Sequence, residues 1–484
     1  MRICLVSSFP PSHERLNEYG FHLAKELQRD PFLSLTILAD QYEPAQQELP
    51  DFDVVRCWRP NSLTTPARLL KAVRDARPDV VWFNSVFSSF GTRAVPAFLG
   101  LCAPALIRAA GYSTHITLHH LMEGINLSDA GMNHPLLYNF GGAAATRLLL
   151  VADSVTVLLP AYRRTLIEKY RGKNIHLRAH GIFAGTPQYP DFSRRDNPTQ
   201  RILAFGKWGT YKRLETLIEA FGRVSPENPN AHLIIAGEDH PSTPGYVESI
   251  AEQVQGNPQI TVRGYVAESD IDDLFSTASL LVMPYKSATG SSGVAHQACQ
   301  FGVPIICADI PEFCEMAEQE RIAMDFFRRG DAASLAEALS SLLADGERRR
   351  NMAEQNFHAA MRMTMPQVIR QYLRAFDWHR QSRWARANSR TTLAARAAAL
   401  RVPAPAWTYA ASGRVALPPA PALVPIVTAP AASTVCARPA LFPATATAVD
   451  MTSLVPRSVR DIPSPARKRR ARQRIISVEE ERAA

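Results

Sequence analysis

The sequence contains few features of a secreted, membrane-spanning or metal-binding protein. Its 484 residues include seven cysteines, an odd number without a C-x-x-C pair, which argues against a disulfide framework or a zinc site. No run of about 20 apolar residues is present, so no membrane span is expected. The start, MRICLVSSFPP, enters a strand pattern without a separate apolar h-region, so no signal peptide is expected. A reduced, cytoplasmic compartment is the simplest interpretation.

Positive charge is concentrated at one end of the chain. Overall, 54 Lys and Arg residues against 45 Asp and Glu residues give a formal net charge of +9, which would favour a nucleic acid or an anionic membrane as partner. Residues 381–484 hold sixteen of the basic and five of the acidic residues, a net charge of +11, so residues 1–380 carry −2. The basic character therefore belongs to the C-terminal segment, and the rest of the chain is close to neutral.

The same segment differs from the rest in composition. Twelve of the 36 prolines lie in residues 381–484, in Ala/Pro/Val-rich runs such as ALPPAPALVPIVTAPAAS at 416–433. Such a segment cannot bury enough apolar surface to offset its ordering entropy, so a disordered tail is predicted over 381–484. The remaining chain exceeds one ordinary core. It is predicted to form two domains, 1–183 and 200–380, joined by an aperiodic linker at 184–199.

Short β-rich apolar runs alternate with amphipathic helical patterns through both predicted domains. This alternation predicts an α/β fold of two Rossmann-like parallel sheets that face a cleft, with ligands at the carboxyl ends of the strands. No internal repeat of 20–50 residues is present. The predicted strands are 2–8, 34–40, 78–84, 116–120 and 152–160 in the first domain, and 201–207, 231–239, 260–266, 279–285 and 304–309 in the second; the predicted helices lie near 16–28, 160–170, 213–224, 294–301, 332–344 and 366–377.

The stretch Pro284–Pro304, PYKSATGSSGVAHQACQFGVP, is the most informative part of the sequence. A strand enters a loop of glycines and small hydroxyl residues, which leads directly into a helix. Small residues let a ligand approach the backbone, and free amides at a helix N-terminus favour an anion, so a diphosphate is predicted over Gly290–Val294. An ordinary strand-to-helix turn is the alternative. Neither G-x-G-x-x-G nor the P-loop pattern occurs here, which argues against a dinucleotide or NTPase site.

A second loop, FGKWGTYKR at 205–213, supplies cations at the end of another strand. Lys207 and Lys212 are predicted to face the same cleft, where a lysine suits a phosphate as a mobile point charge. Taken singly, such lysines are often only solvated. The combination of an amide-lined loop and a cationic loop in one domain favours an anion site.

These segments resemble the nucleotide-sugar-dependent glycosyltransferases of the GT-B fold, specifically the retaining family 4, over roughly 2–375. Gly206-Lys207-x-x-x-x-Lys212 resembles the family element Gly-Arg-x-x-x-x-Lys that holds the donor diphosphate, with Lys in place of Arg. HLIIAGED, with Gly237, and the segment VRGYVAESD, with Tyr265 and Val266, resemble strand ends that face the nucleotide. GVAHQACQFGVPIICADIPEF resembles the family's helix after the glycine loop. The resemblance implies donor contacts from Gly206, Gly237, Tyr265, Val266, Thr289, Gly290, Ser291, Ser292, Gly293, Val294 and Gln297.

The sequence departs from the family at two acidic positions. Family members usually carry two glutamates that contact the transferred sugar and the ribose, and these positions are Thr289 and Gln297 here. Gln297 can still hydrogen-bond a ribose diol, whereas Thr289 brings no charge to a developing oxocarbenium ion. A catalytically degenerate protein that only binds sugar nucleotides is therefore the alternative to an enzyme.

The first domain is implied to supply the acceptor side. Thr117-Leu118-His119 resembles the Thr-x-His setting in which a family histidine approaches the transferred sugar, and His120 is its neighbour. A histidine there can donate to a sugar hydroxyl or a phosphate oxygen, although a structural histidine that ends the strand is the alternative. The family's Gly-Gly near the end of the first loop is Glu14-Arg15 here. Arg15 would narrow the cleft or contact an anionic acceptor, or lie exposed.

The resemblance therefore implies a metal-independent hexosyltransferase. It would move a hexose or hexosamine from a nucleoside-diphosphate sugar to a hydroxyl acceptor with retention, as in polysaccharide biosynthesis, without a cofactor. His119, Lys207 and Lys212 are the predicted catalytic residues, and no metal ligand is predicted. An epimerase of the same fold fits the motifs less well. The basic run ARKRRARQR at 466–474 would contact an anionic membrane, bind nucleic acid or remain solvated, and nucleic acid is the less favoured partner.

Overall fold

The computed structural model describes residues 1–12, 16–41, 50–122, 135–192, 200–240, 243–287 and 290–399, without the side chains of 135–139, 268 and 386–399. Arg15, Thr289 and residues 400–484 of the predicted tail lie outside the described residues. Within the described ranges the predicted fold class is confirmed. Two parallel sheets, each covered by helices, lie in one compact unit.

The first sheet has seven strands in the order β3-β2-β1-β4-β5-β6-β7, and every neighbouring pair is parallel. Its central strands are buried along their whole length, as expected for a sheet covered on both faces. The elements are β1 (Arg2–Val6), α1 (Asn17–Leu27), β2 (Ser34–Asp40), β3 (Val54–Trp58), α2 (Thr65–Ala76), β4 (Val80–Ser85), α3 (Ala94–Leu101), α4 (Ala103–Ala109), β5 (Thr114–Leu118), α5 (Pro135–Leu149), β6 (Ser154–Val157), α6 (Pro160–Glu168) and β7 (Ile175–Leu177).

The second sheet has six parallel strands in the order β10-β9-β8-β11-β12-β13. The elements are β8 (Gln200–Phe205), α7 (Leu214–Val224), β9 (Ala231–Ala236), α8 (Tyr246–Gln253), β10 (Ile260–Arg263), α9 (Glu268–Ser276), β11 (Leu280–Met283), α10 (Gly293–Gln300), β12 (Ile305–Ala308), α11 (Pro311–Glu320), β13 (Met324–Phe327), α12 (Ala332–Ala344), α13 (Gly346–Arg362) and α14 (Met365–Ala399).

Two features of the sequence explain helices of the second domain: the apolar spacing of α7 and the N-terminal cap of α10. In α7, LETLIEAFGRV places Leu214, Leu217, Phe221 and Val224 at helical spacing, and all four are buried against the sheet. Helix α10 begins after Ser292, whose hydroxyl accepts a hydrogen bond from the Ala295 amide at 3.2 Å. These helices therefore bury their apolar faces against the second sheet, and the parallel strands of that sheet end at a common edge.

The strand order reverses between β8 and β11, which are adjacent but far apart in sequence. At such a switch point the two following loops diverge to opposite faces and leave a crevice at the carboxyl edge. The loop after β8 carries Lys207 and Lys212, and the loop after β11 carries Gly290 and Ser292. The topology therefore brings the two predicted anion-binding segments to one crevice.

The last helix returns to the first domain. The ring of Tyr372 in α14 lies 4.5 Å from the ring of Trp82 in β4, and the Thr117 hydroxyl donates to Tyr372 Oη at 3.0 Å. The Arg383 guanidinium donates to Asp153 Oδ2 at 3.1 Å. Helix α14 runs to Ala399, beyond the boundary predicted at residue 380, and packs on the first sheet although it follows the second domain.

Candidate active site

Two glycines bring the ends of β8 and β9 into direct backbone contact. Gly206 and Gly237 have φ angles of +145° and +122°, which favour glycine. A Cβ at Gly237 would lie 1.8 Å from the Gly206 carbonyl oxygen, and a Cβ at Gly206 would lie 2.9 Å from Lys212 Nζ and 3.6 Å from Val294 Cγ2. The structure thus brings together Gly206, Lys212 and the first turn of α10.

The Lys212 ammonium is surrounded by aromatic rings. Its Nζ lies 4.8 Å from the ring centre of Tyr285, 5.4 Å from that of Trp208 and 6.0 Å from that of Tyr211. Trp208 is fully buried and its indole N–H donates to the Ala236 carbonyl at 2.9 Å, which fixes the loop on the end of β9. Burial, with the nearby Lys207 ammonium, lowers the pKa of Lys212 to about 7. Lys212 is therefore a cation that becomes neutral within the physiological pH range.

Further cations belong to the loops after β8 and β11. Lys207, Arg213 and Lys286 are exposed. The backbone amide of Lys286 donates to the Tyr211 carbonyl at 2.8 Å, which joins the loop after β11 to the loop after β8. The two loops are therefore linked through their backbones, and among these cations Lys207 lies close enough to Lys212 to affect its pKa.

The N-terminus of α10 forms the other side of the crevice. Gly293 is exposed, Val294 and Ser291 are partly buried, and Ser292 is nearly buried. Amides of a first helical turn have no carbonyl of their own helix to bind and can receive an anion. The predicted segment Gly290–Val294 therefore lies at this helix N-terminus, and Val294 and Lys212 both lie within 4 Å of a Cβ placed at Gly206.

The glycine loop also touches the first domain. Gly290 has a φ angle of +106°, and a Cβ there would lie 2.6 Å from the carbonyl oxygen of His119. The same Cβ would lie 3.7 Å from Cβ of His120. The residues predicted for the donor and acceptor sides therefore meet across the boundary between the domains.

His119 is held by its neighbours. It is buried, and its Nε2 lies 2.7 Å from Asn84 Oδ1, while the Asn84 amide nitrogen donates to the Ser7 hydroxyl at 3.0 Å. Because Asn84 Oδ1 can only accept, His119 Nε2 carries the proton. Burial, with His180 and His120 nearby, lowers the pKa of His119 well below its usual value. The ring is neutral, and its Nδ1 can accept a hydrogen bond, so the sequence-based expectation of a proton donor changes to that of an acceptor.

The remaining predicted residues occupy separate places along the edge. Gln297 is partly buried on α10, one turn beyond Gly293, and His120 is buried beside Phe87. Tyr265 is exposed and Val266 partly buried after β10, two strands from β8. Residues 15 and 289 lie outside the described ranges, so the predictions for Arg15 and Thr289 have no structural counterpart.

Sequence reasoning missed several residues of the site. The rings of Trp208, Tyr211 and Tyr285 flank the predicted lysine, and their clustering at the ends of two strands was a usable signal. His180, His296 and Glu320 join the domains behind the glycine loop. Their pairing depends on the relative position of two domains, which local sequence does not contain.

The described part of the chain has neither a metal centre nor a spanning helix. No three His, Cys, Asp or Glu side chains there converge in a way that could hold a metal ion. None of the described helices combines the length and apolar character needed to cross a bilayer.

Comparison with known proteins finds a family model that matches part of the chain. Residues 186–358 match the model described as "Glycosyl transferases group 1". The uncharacterized glycosyltransferase YqgM of Bacillus subtilis (strain 168) is 24% identical over 235 residues, which are 48% of this chain and 63% of that relative. The match thus spans less than two thirds of the relative's length.

Solved structures are similar over both domains. Sucrose-phosphate synthase from Thermosynechococcus elongatus superposes with a TM-score of 0.59 at 17% identity, covering 78% of this chain and 100% of that one. Anabaena Alr3699/HepE in complex with UDP-glucose superposes with a TM-score of 0.57 at 16% identity, covering 78% and 99%. At these identities the likeness establishes the architecture, the two-domain GT-B fold.

Proposed function

We propose that this protein is a glycosyltransferase, because residues 186–358 match the model of group 1 glycosyl transferases and the chain has the GT-B fold. It moves a hexose or hexosamine from a nucleoside-diphosphate sugar to a hydroxyl acceptor, with retention at the anomeric carbon. The observation that carries the proposal is the position of Lys212 Nζ, beside Gly206 and the first turn of α10 at the β8/β11 switch point.

The reaction needs negative charge to be stabilised on a leaving group. The bond between the anomeric carbon and the diphosphate oxygen breaks, and its electron pair stays with the diphosphate. The acceptor oxygen bonds to the anomeric carbon, and its proton leaves with the diphosphate. Negative charge develops on the departing diphosphate, and electrostatic catalysis must stabilise it. In this proposal the stabilising groups are the ammonium groups of Lys207 and Lys212 and the amides of Gly290–Val294. These fixed cations and amides supply the charge that a metal ion would otherwise provide.

The other predicted residues orient the substrates. Gln297 would hydrogen-bond the ribose, Thr289 the transferred sugar, and the backbone near Tyr265 and Val266 the base. His119 contributes an accepting nitrogen to a sugar hydroxyl, since its Nε2 is bound to Asn84. A solved relative of this fold, Alr3699/HepE, carries UDP-glucose, which supports a nucleotide sugar as the donor class.

Donor binding is tested with a thermal-shift and calorimetry panel of UDP-, GDP-, ADP- and TDP-sugars. A ligand that binds the native state raises the unfolding midpoint once its concentration exceeds Kd. Lys212→Met should abolish the shift, and Lys207→Met should reduce it. Lys71→Met is the matched control, because Lys71 is an exposed lysine paired with Asp75 on α2. Unchanged donor binding in both site variants would exclude the assignment.

A protein that binds sugar nucleotides without transferring sugar is the second candidate. It is favoured by Thr289 and Gln297, which stand where the resemblance implies two glutamates, since Thr289 brings no charge to a developing oxocarbenium ion. Transfer to a hydroxyl acceptor or slow hydrolysis of the bound donor separates the two. Donor binding without either reaction would identify the binding protein.

A further inference from the structure

A histidine with both ring nitrogens engaged lies behind the glycine loop. His296 is 1% exposed, its Nδ1 lies 2.6 Å from the Ser292 carbonyl oxygen, and its Nε2 lies 2.8 Å from Glu320 Oε2. A carbonyl and an ionised carboxylate can only accept hydrogen bonds. With Glu320 as a carboxylate, both ring nitrogens carry protons, and the ring is an imidazolium paired with a buried anion.

The bond to Ser292 connects this ion pair to the anion site. Ser292 is the residue before α10, and its side chain already accepts from the Ala295 amide. Its carbonyl receives both the His296 ring and the His296 amide, the latter at 3.1 Å. The imidazolium thus fixes the backbone at the point where the glycine loop becomes a helix.

The same ring contacts the first domain. The ring centre of His180, in the segment after β7, lies 5.0 Å from that of His296 at an angle of 33°. His180 Nδ1 lies 2.9 Å from the Gly181 carbonyl, and the Tyr19 hydroxyl donates to the His180 carbonyl at 2.5 Å. The Tyr19 ring also lies 4.7 Å from that of His119. The contact therefore runs from α11 through α10 to the predicted acceptor side.

The charged and titratable groups around His296 come from several elements. Glu320 belongs to α11, and His180 comes from the first domain. Arg362 of α13 donates to the backbone carbonyl oxygen of Glu320 at 3.3 Å, and Cys299 lies on α10 itself. Although burial acts against a charged ring, the Glu320 carboxylate raises the pKa of His296 above its usual value. Burial, with His296 nearby, lowers the pKa of His180 to about 3, so the charge stays on His296.

We infer that His296, charged by Glu320, is a positioning residue for the donor diphosphate. It holds the Ser292 carbonyl, and with it the amides of Gly290–Val294, in the orientation that receives the anion. A loop fixed before binding does not have to be ordered when the ligand arrives, so the ion pair increases affinity through preorganisation. This inference rests on the proposed function, because it assigns a role at the same site.

The first test is the protonation of the ring and needs no ligand. In the full chain with ¹⁵N-labelled histidine, the signal lost in His296→Gln identifies His296. Both of its nitrogens should be protonated at pH 8. In Glu320→Gln the amide oxygen can still accept from the ring, but the carboxylate is gone, and the ring should become neutral at this pH. A neutral His296 in the unaltered protein at pH 8 overturns the inference.

The second test measures UDP, GDP, ADP and TDP binding by calorimetry. Glu320→Gln keeps the shape of the pair and should weaken binding of the preferred nucleotide by about tenfold. Exchange of the amides at residues 290–296 should accelerate in the same variant. His115→Gln is the matched control. His115 lies in β5, is as buried as His296, and is hydrogen-bonded through both ring nitrogens, to Ser113 and Ser154. It should leave nucleotide affinity unchanged.

A double variant guards against failure of the single variants to fold. His296→Leu with Glu320→Leu removes both charges and leaves neither unpaired, a change that buried ion pairs often tolerate. It should fold and bind more weakly than the unaltered protein. Equal nucleotide affinity in the unaltered protein, Glu320→Gln and the double variant overturns the positioning role and leaves the proposed function intact. No binding of any of the four nucleotides by the unaltered protein overturns both.

Discussion

Lys212 Nζ lies 4.8 Å from the ring centre of Tyr285, and no carboxylate pairs with it among the described residues. The attraction between a cation and aromatic faces is worth about 0.5–2 kcal/mol, but the loss of hydration disfavours the charged form of the amine. The arrangement keeps the amine available to an anion. It also makes its charge depend on pH near neutrality, because its pKa is lowered to about 7.

Nucleoside diphosphate affinity should therefore fall as the pH rises above about 7. The bound diphosphate favours the charged amine, so binding takes up a proton in this range, and Kd rises by up to about tenfold per pH unit. Calorimetry between pH 6.5 and 9, in buffers of different ionisation enthalpy, measures both the affinity and the proton uptake. In Lys212→Arg, whose guanidinium stays charged, the dependence should disappear. A pH dependence that persists in Lys212→Arg contradicts this explanation.

Gly293→Ala should weaken donor binding without destabilising the fold. A Cβ at Gly293 has no neighbour within 4 Å, so the free protein accommodates it. Since helical Cβ atoms tilt toward the N-terminus, the added methyl group should crowd an anion bound to the first-turn amides. Nucleotide Kd should rise by about tenfold or more. Gly222→Ala is the matched control, since its Cβ also has open space, within α7. It should stabilise the protein by about 0.5–1 kcal/mol and leave Kd unchanged. Normal binding in Gly293→Ala would place the anion elsewhere.

Gly290→Ala should instead destabilise the protein. The residue has a φ angle of +106°, and its Cβ would lie 2.6 Å from a backbone oxygen of His119, which cannot rotate away. We expect a loss of about 1–3 kcal/mol in the free energy of unfolding, measured with urea. The domains meet at this point, so the loss should be accompanied by faster proteolysis of the segment between β7 and β8. A fully stable variant would mean that the domains do not contact each other here in solution.

The free energy of unfolding should decrease as the pH falls from about 6.5. Burial is the main cause that lowers the pKa of His115 and of His180 to about 3 in each case. Between these values and the ordinary histidine pKa the unfolded chain binds more protons, so stability rises with pH by up to about 1.4 kcal/mol per unit for each histidine. Urea titrations from pH 4 to 7 measure the slope. His115→Gln should make it shallower, and an unchanged slope would contradict the assignment.

Truncation after Ala399 should leave the thermal midpoint and nucleotide binding unchanged, whereas truncation after Arg380 should lower the midpoint. The second cut removes Arg383, which donates to Asp153 and to the Gly111 carbonyl at 2.7 Å. Arg383→Ala in the full chain separates the loss of these bonds from the loss of helix length. Its effect should be below about 1 kcal/mol, because the pair is partly exposed. Equal midpoints for the two truncations would exclude a structural role for residues 381–399.

Much of the sheet architecture follows from local sequence. The strand 34–40 and the helix 332–344 occur with the predicted bounds, and 213–224 differs by one residue, because each has an unbroken apolar period. Helix α13 at Gly346–Arg362 was missed because its charged residues obscure the apolar period. Helix α14 was predicted to end near 377, although nothing in its sequence stops it before Ala399.

The candidate site could be predicted only in part. The backbone features of Gly206 and Gly237 follow from the position of glycines at strand ends, that of Gly290 follows from its place in the loop before α10, and the lysines follow from charge. The state of each titratable group could not be predicted, because it depends on tertiary contacts. His119 and His296 are both buried histidines, yet burial beside His180 and His120 lowers the pKa of the first, whereas Glu320 raises the pKa of the second.

The return of α14 to the first sheet affects the order in which this protein can be completed during synthesis. Met365, Tyr372 and Phe376 fill the core against β1 and β4, which were translated more than 280 residues earlier. When synthesis has reached Phe327, all strands of the second domain are present, but α14, which covers part of the first sheet, has not yet been made. The N-terminal half must therefore leave the ribosome with apolar surface uncovered, and the segment that covers it arrives after the other domain is able to fold.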